Sequence, residues 1–331
     1  QTIVSFYAPE IEIAPGLTSY CGNGSIKSLV SILRDLLRRE SFDVIHVHSG
    51  HMGAMLIAAV LPFQTQVLSR TVFTLHTSYH LLKPRNKMLV TSFMLSSAIT
   101  CACSESSQSS IPGFVSRILG RRLRAVVNGY DTKRLEVLEA QQHEPRFNTE
   151  CLRVVCVAAL NPGKRQAAVL EALRSSQDQD IEIHFLGDGP ERARLEEMAA
   201  TLGSRTAVSF PGKVPRDEVM IQLLEADVFV SLSAGEGMPI SVLEAMGAGC
   251  LTVLSSIPPH CEIRAPDSSV RLVDATQPGQ VAQALGDFSR LSVDERKREG
   301  LVAQAHVLKN FNLQLMLEKY LAVYGEVHCA G

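Results

Sequence analysis

The chain has 331 residues, 46% of them hydrophobic and 20% charged, with a formal net charge of -2. That length exceeds what one hydrophobic core usually serves, so two domains are expected, and the composition excludes a disordered or fibrous chain. A near-neutral balance leaves no electrostatic footprint for nucleic acid, which is not expected as a partner.

The chain opens at Gln1, without an initiator methionine, directly into the apolar run Thr2 to Ala8. A helix at about Ser25 to Arg38 precedes a strand over Asp43 to Val47; strands follow near Val72 to Leu75, Ile99 to Cys103 and Arg124 to Val127. Each strand is short, apolar and β-branched. The longest apolar run, Met52 to Phe63, is too short to cross a bilayer. From Lys83 to Arg134 the basic residues are opposed only by Glu105 and Asp131. Its part from Lys83 to Arg124 reads first as a solvated face and second as a peripheral contact for an anionic membrane surface or an acidic acceptor.

The polar stretch Leu138 to Cys151 breaks the pattern as an interdomain linker would. The second half then alternates cleanly: strand Arg153 to Ala159, helix Lys164 to Arg174, strand Ile181 to Leu186, helix Pro190 to Leu202 and strand Ala207 to Phe210. Helix Arg216 to Glu225, strand Asp227 to Leu232, helix Pro239 to Ala248 and strand Cys250 to Leu254 continue it. Two helical patterns, Ser292 to Lys309 and Leu313 to Val327, close the chain as packing elements. Alternating strands and helices build parallel sheets with crossover helices. The expected division is a first domain over 1–137, a linker over 138–151, a second domain over 152–312 and a final helix over 313–331 packing back on the first domain. Eight cysteines occur without a C-x-x-C pair, and Cys156 and Cys250 lie in buried-strand patterns, which suits a reducing, cytoplasmic setting.

Chemistry concentrates in Ser233 to Gly249, SAGEGMPISVLEAMGAG, which reads as a strand end, a glycine-containing loop and a helix entered through Pro239 and stopped by Gly249. A helix that starts just past a strand's carboxyl end offers free N–H groups and a positive dipole end, which suit a diphosphate. Glu236 in the loop and Glu244 inside the helix are separated by roughly 7 to 8 Å of helical rise plus the loop, enough to bracket a diphosphate. One carboxylate then accepts from sugar hydroxyls and the other from a ribose diol. Taken alone, the pair reads more readily as a solvated loop acid and a helix former.

The stretch EGMPISVLEAMGAG resembles the E-x7-E signature of retaining glycosyltransferases of the GT-B fold, in the large family 4, the "glycosyl transferases group 1" type. SFDVIHVHS, VFTLHTSYH, CACSESS, VVNGYDTKRL, VCVAALNPGKR, IHFLGDGPERARLEEMA, SFPGKVPRDEV and EADVFVSLS resemble that family's successive segments, so the likeness spans nearly the whole chain. It implies an α/β fold of two Rossmann-like, doubly wound domains facing across a cleft, the first lacking its opening strand and loop. It also implies transfer of a hexose, with retention, from a nucleotide-diphosphate sugar to an unidentified acceptor: a glycan, a lipid or a small molecule.

On the matching positions, the resemblance implies that Glu244 holds the ribose, and that Glu236 with the backbone of Gly237, Met238, Pro239 and Ile240 holds the transferred sugar. Lys164 then neutralises the leaving diphosphate, a cation placed where charge develops. Gly212, Lys213 and Val214 stack near the base, and His76, in the T-x-H segment, orients a hydroxyl or assists a proton transfer. The family usually carries an arginine five residues before that lysine. Here Ala159 stands there, and Arg165 is the substitute at hand, although a helical neighbour points roughly 100° away from Lys164. His46 and His48 share a strand face with His51 nearby, but no acidic or cysteine ligands accompany them, and neither a metal nor another cofactor is expected. The alternatives are a nucleotide-sugar epimerase or phosphorylase on the same fold, and a catalytically inactive nucleotide-sugar-binding module.

Overall fold

The computed structural model describes residues 1–7, 15–61, 64–133, 151–175, 180–265 and 269–330. The chain divides into two compact units, one made of Gln1–Val126 with the chain from Glu318 onward, the other of Val127–Leu317. The predicted linker lies outside the described residues apart from Cys151.

In the first unit, β1 (Thr2–Ser5) and β2 (Thr18–Cys21) form a two-stranded parallel sheet. Helix α1 (Ile26–Arg39) starts where the Ser25 side chain accepts from the Ser28 N–H and ends in Arg38 and Arg39, which suit the negative end of its dipole. Strand β3 (Ile45–Val47), helix α2 (Gly50–Val60), strand β4 (Thr71–Leu75), helix α3 (Pro84–Ser96), strand β5 (Ile99–Ala102), helices α4 (Glu105–Ser109) and α5 (Gly113–Leu119), and strand β6 (Leu123–Ala125) follow. The four strands lie in chain order, β3-β4-β5-β6, all parallel. Strands β4 and β5 are buried throughout, which explains their nearly continuous apolar runs. Phe73, Phe93, Val115 and Leu119 anchor the core of this unit.

The second unit contains β7 (Leu152–Val157), α6 (Gln166–Ser175), β8 (Ile181–Leu186), α7 (Arg192–Ala199), β9 (Thr206–Gly212) and α8 (Arg216–Glu225). It continues with β10 (Val228–Ser231), α9 (Ile240–Gly247), β11 (Leu251–Ser255), α10 (Pro258–Glu262), β12 (Val270–Val273), α11 (Pro278–Arg290) and α12 (Val293–Asn310). Its parallel sheet has the order β12-β11-β10-β7-β8-β9, the doubly wound Rossmann arrangement in which the chain reverses direction between β7 and β10. Ligands bind such sheets at the carboxyl ends of the strands beside that reversal.

Asp227 fixes the unit through two contacts. At the amino end of β10, Asp227 pairs with Arg296 of α12 at 3.2 Å, both side chains essentially inaccessible, and accepts the Arg153 N–H at the start of β7. Helix α12 itself starts on a capping box formed by Ser292 and Glu295.

The observed division falls earlier than the predicted 137/138, because Tyr130 belongs to the second unit. Its N–H donates to the Phe311 carbonyl, its carbonyl accepts from Leu313, and a Cβ on Gly247 would lie 2.6 Å from its ring. The final helix α13 (Leu313–Ala330) carries Tyr320 and Tyr324 in the first unit. Tyr320 hydrogen-bonds Thr74 at 3.0 Å and Tyr324 hydrogen-bonds His46 at 2.7 Å. No helix of the described residues is long and apolar enough to cross a membrane.

Candidate active site

At the carboxyl end of β7 the chain runs through Ala158, Ala159 and Leu160 into a 3-10 turn over Pro162–Lys164; at the end of β10 it runs through Ser233 and Glu236 to α9. The two loops are tied together by the Ala234 N–H donating to the Gly163 carbonyl at 2.8 Å. Across this tie the Lys164 ammonium donates to the Glu236 carboxylate, with both side chains largely sheltered from solvent. Residues 72 positions apart in sequence thus meet at the strand-order reversal.

A second support comes from β8. A Cβ on Gly187 would lie 2.0 Å from the Ala158 carbonyl oxygen, so only glycine allows the β8 loop to lie against the loop leading to Lys164. The LGDG segment therefore buttresses the Lys164 loop.

The sequence pattern begins a helix at Lys164, and the structure corrects this. Pro162 and Gly163 set a 3-10 turn, and Arg165 follows in a left-handed conformation at φ +55° before α6 begins at Gln166. Arg165 is thus no helical neighbour of Lys164, and its charge acts on Asp274 beyond β12, helping to hold that carboxyl below its ordinary range after the Thr276 and Gln277 hydrogen bonds.

Helix α9 starts at Ile240, with Pro239 at the N-cap rather than inside the first turn. No side chain caps it; the Val242 N–H donates to the Pro239 carbonyl at 3.1 Å, and the Ile240 and Ser241 amides before it keep the anion-accepting character expected of a helix start. Gly237, Met238 and Pro239 are buried beneath the loop. Gly249 ends the helix at φ +76°. Glu244 is buried in α9, and its carboxylate accepts from Arg216 Nη2 at 2.7 Å. Arg216, the first residue of α8, gives no signal in the sequence, where it is one more cation after Pro215. At the end of β9, Gly212 is buried and accepts from the Gly187 N–H, Lys213 is exposed and Val214 half-buried.

The sequence also gives no sign of His260. In α10, at the carboxyl end of β11, this imidazole is fully buried; its Nδ1 lies 2.9 Å from the Ser255 carbonyl, which it meets as donor, while its Nε2 has no hydrogen-bond partner among the described residues. Burial lowers its pKa, opposed by the Ser255 bond and the nearby Glu236 charge. A buried acceptor thus stands within electrostatic reach of both Glu236 and Lys164.

In the first unit, His76 follows β4, and its Nε2 lies 2.9 Å from His48 Nδ1. Partial burial and then the His48 charge hold His76 down to about 4. His46, which also bonds the Thr74 hydroxyl at 2.7 Å, is held at about 3 by burial, with His48 and His76 adding to the effect. Burial lowers His48 as well, so all three rings are neutral near pH 7. A cavity of about 190 Å³ adjoins His76, with Thr77, Asn86 and His51 among its polar lining. No group of three His, Cys, Asp or Glu among the described residues is arranged to hold a metal ion.

The family model described as glycosyl transferases group 1 matches residues 139–305, and that of glycosyltransferase family 4 matches 8–134. The chain belongs to the group 1 glycosyltransferases. It is 32% identical over 176 residues, covering 50% of this chain and 43% of the relative, to the putative colanic acid biosynthesis glycosyltransferase WcaL of Escherichia coli. It is 23% identical over 248 residues, 70% of this chain and 52% of the relative, to the GPI3 subunit of the phosphatidylinositol N-acetylglucosaminyltransferase of Saccharomyces cerevisiae. The chain therefore spans about half the length of these curated relatives.

Among solved structures, sucrose-phosphate synthase from Thermosynechococcus elongatus superposes with a TM-score of 0.80 at 16% identity, covering 100% of this chain and 89% of that one. Anabaena HepE in complex with UDP and glucose superposes with a TM-score of 0.74 at 17% identity, covering 94% and 86%. These likenesses show the fold, GT-B with its Rossmann-like sheets.

Proposed function

We propose that the chain belongs to a retaining glycosyltransferase that moves a hexose from a nucleotide-diphosphate sugar to an acceptor. The observation that carries this reading is the meeting of Lys164 and Glu236 at the strand-order reversal, beside the uncapped start of α9.

On this reading the donor's diphosphate lies at the α9 amides and takes over Lys164, while Glu236 turns to the hydroxyls of the transferred sugar. Each partner of the resting ion pair gains a new partner, so neither charge is left sheltered and unpaired. Lys164 acts most strongly when the anomeric bond breaks, because the β-phosphate oxygen then gains charge. Glu244, steadied by Arg216, accepts from the ribose diol, and the base rests against Gly212, Lys213 and Val214. His76, neutral and fixed by His48, offers a hydrogen bond to a hydroxyl on the acceptor side. HepE, a fold neighbour, holds UDP and glucose, the class of ligand proposed here.

Ala159 favours a second reading, a module that binds the nucleotide-sugar without transferring it. Product analysis with a panel of nucleotide-sugars and Glu236→Gln separates the two. A transferase releases nucleoside diphosphate, and the variant slows that release by on the order of a hundredfold while still binding nucleoside diphosphate. Binding without turnover by the full-length protein supports the module and rejects transfer.

A further inference from the structure

The first unit carries a surface that the donor reading does not use. Leu81, Met88, Phe114 and Ile118 are 42%, 66%, 66% and 58% exposed, although each has buried apolar neighbours on its own element or close by. On α5, Phe114, Arg117 and Ile118 share one helical face, while Val115 and Leu119 fill the core on the other. On α3, Arg85 and Met88 form a similar outward pair three residues apart, above the buried Val90, Phe93 and Met94. Both helices rest on one core and touch each other, so their outward faces adjoin.

Cations interleave with these apolar side chains. Lys83, Arg85, Arg117 and Arg121 are exposed, and among the described residues no carboxylate forms an ion pair with them. Other basic residues of the stretch have internal work: Arg122 donates to the Leu95 and Ser97 carbonyls, Arg124 pairs with Glu326, and Lys87 lies over the Tyr79 ring. Glu105 is the sole acid between positions 81 and 125.

We propose that the outward face of α3 and α5 docks on an anionic phospholipid surface, with Met88, Phe114 and Ile118 entering the headgroup boundary and the surrounding cations meeting lipid phosphates. Protruding apolar side chains within a basic field are what such a surface selects. A second copy of the chain fits poorly, because a two-fold contact would set like charges against each other. A nucleic acid would use the cations and leave the protruding aliphatic side chains without a role. The proposal stands independently of the donor reading, since it involves none of those residues.

The chain contains no tryptophan, so Phe114→Trp supplies a single fluorescent reporter. Leu301→Trp, at a position 55% exposed in the second unit, is the control. Vesicles of phosphatidylcholine, with and without phosphatidylglycerol, are the probe. The expected result is sedimentation only with the anionic vesicles, reversal by high salt, and a blue shift of the Phe114→Trp emission alone. Replacing Arg85 and Arg117 by Ala should weaken partitioning by roughly fivefold each, and Phe114→Ser with Ile118→Ser should abolish the blue-shifting insertion at Met88→Trp, circular dichroism confirming that each variant is folded. No sedimentation, equal sedimentation with both vesicle types, or an equal shift at Leu301→Trp would overturn the proposal. So would capture by an acidic polysaccharide without capture by vesicles.

Discussion

Lys164 and Glu236 neutralise each other across 72 positions of sequence, and on the proposed reading a diphosphate and a sugar would separate them. Single residues also set a pH dependence. His46 is neutral in the fold, its pKa lowered from 6.5 to about 3 chiefly by burial. The unfolded chain takes up that proton first, so the stabilisation is complete above pH 6.5 and is lost progressively as pH falls toward 3. His46→Gln should flatten this decline; urea midpoints measured across that window check it, and an unchanged slope would remove His46 as the cause. None of this is legible in a local stretch of sequence. The hydrogen bonds from His46 to Thr74 and Tyr324 span 28 and 278 positions, and Glu244 meets Arg216 across 28.

At the scale of elements, alternation of apolar strands with amphipathic helices makes the sheet of the second unit readable, because buried parallel strands need near-continuous runs such as those of β10 and β11. Element starts are less readable. Pro162 and Gly163 delay α6 to Gln166, a small shift in sequence that changes where Arg165 points. The buried Asp227–Arg296 pair joins elements whose sequence separation hides the contact. Arg296→Met should cost about 3 to 5 kcal/mol by removing the cation opposite the buried Asp227 charge, whereas the double variant with Asp227→Leu should cost much less. Denaturant unfolding distinguishes the two, and equal losses in both would mean that packing, rather than charge, holds α12 in place.

For the molecule as a whole, the two-unit organisation follows from length and from the interruption of the strand pattern, but the division itself rests on pairings no local window contains. Tyr130 lies beside Phe311 and Leu313, and Glu318 onward joins the first unit. If the second unit binds a nucleotide-diphosphate sugar through the loops that β7 and β10 present, nucleoside diphosphates should bind there and depend on Lys164. Calorimetric titration of UDP, GDP and ADP into the wild type and Lys164→Ala measures this. At least one of the three should bind, and the variant should bind it roughly 10-fold or more weakly, as expected for loss of a charge-assisted phosphate contact. Equal affinity in the variant, or no binding of any nucleoside diphosphate to the wild type, would contradict that donor site.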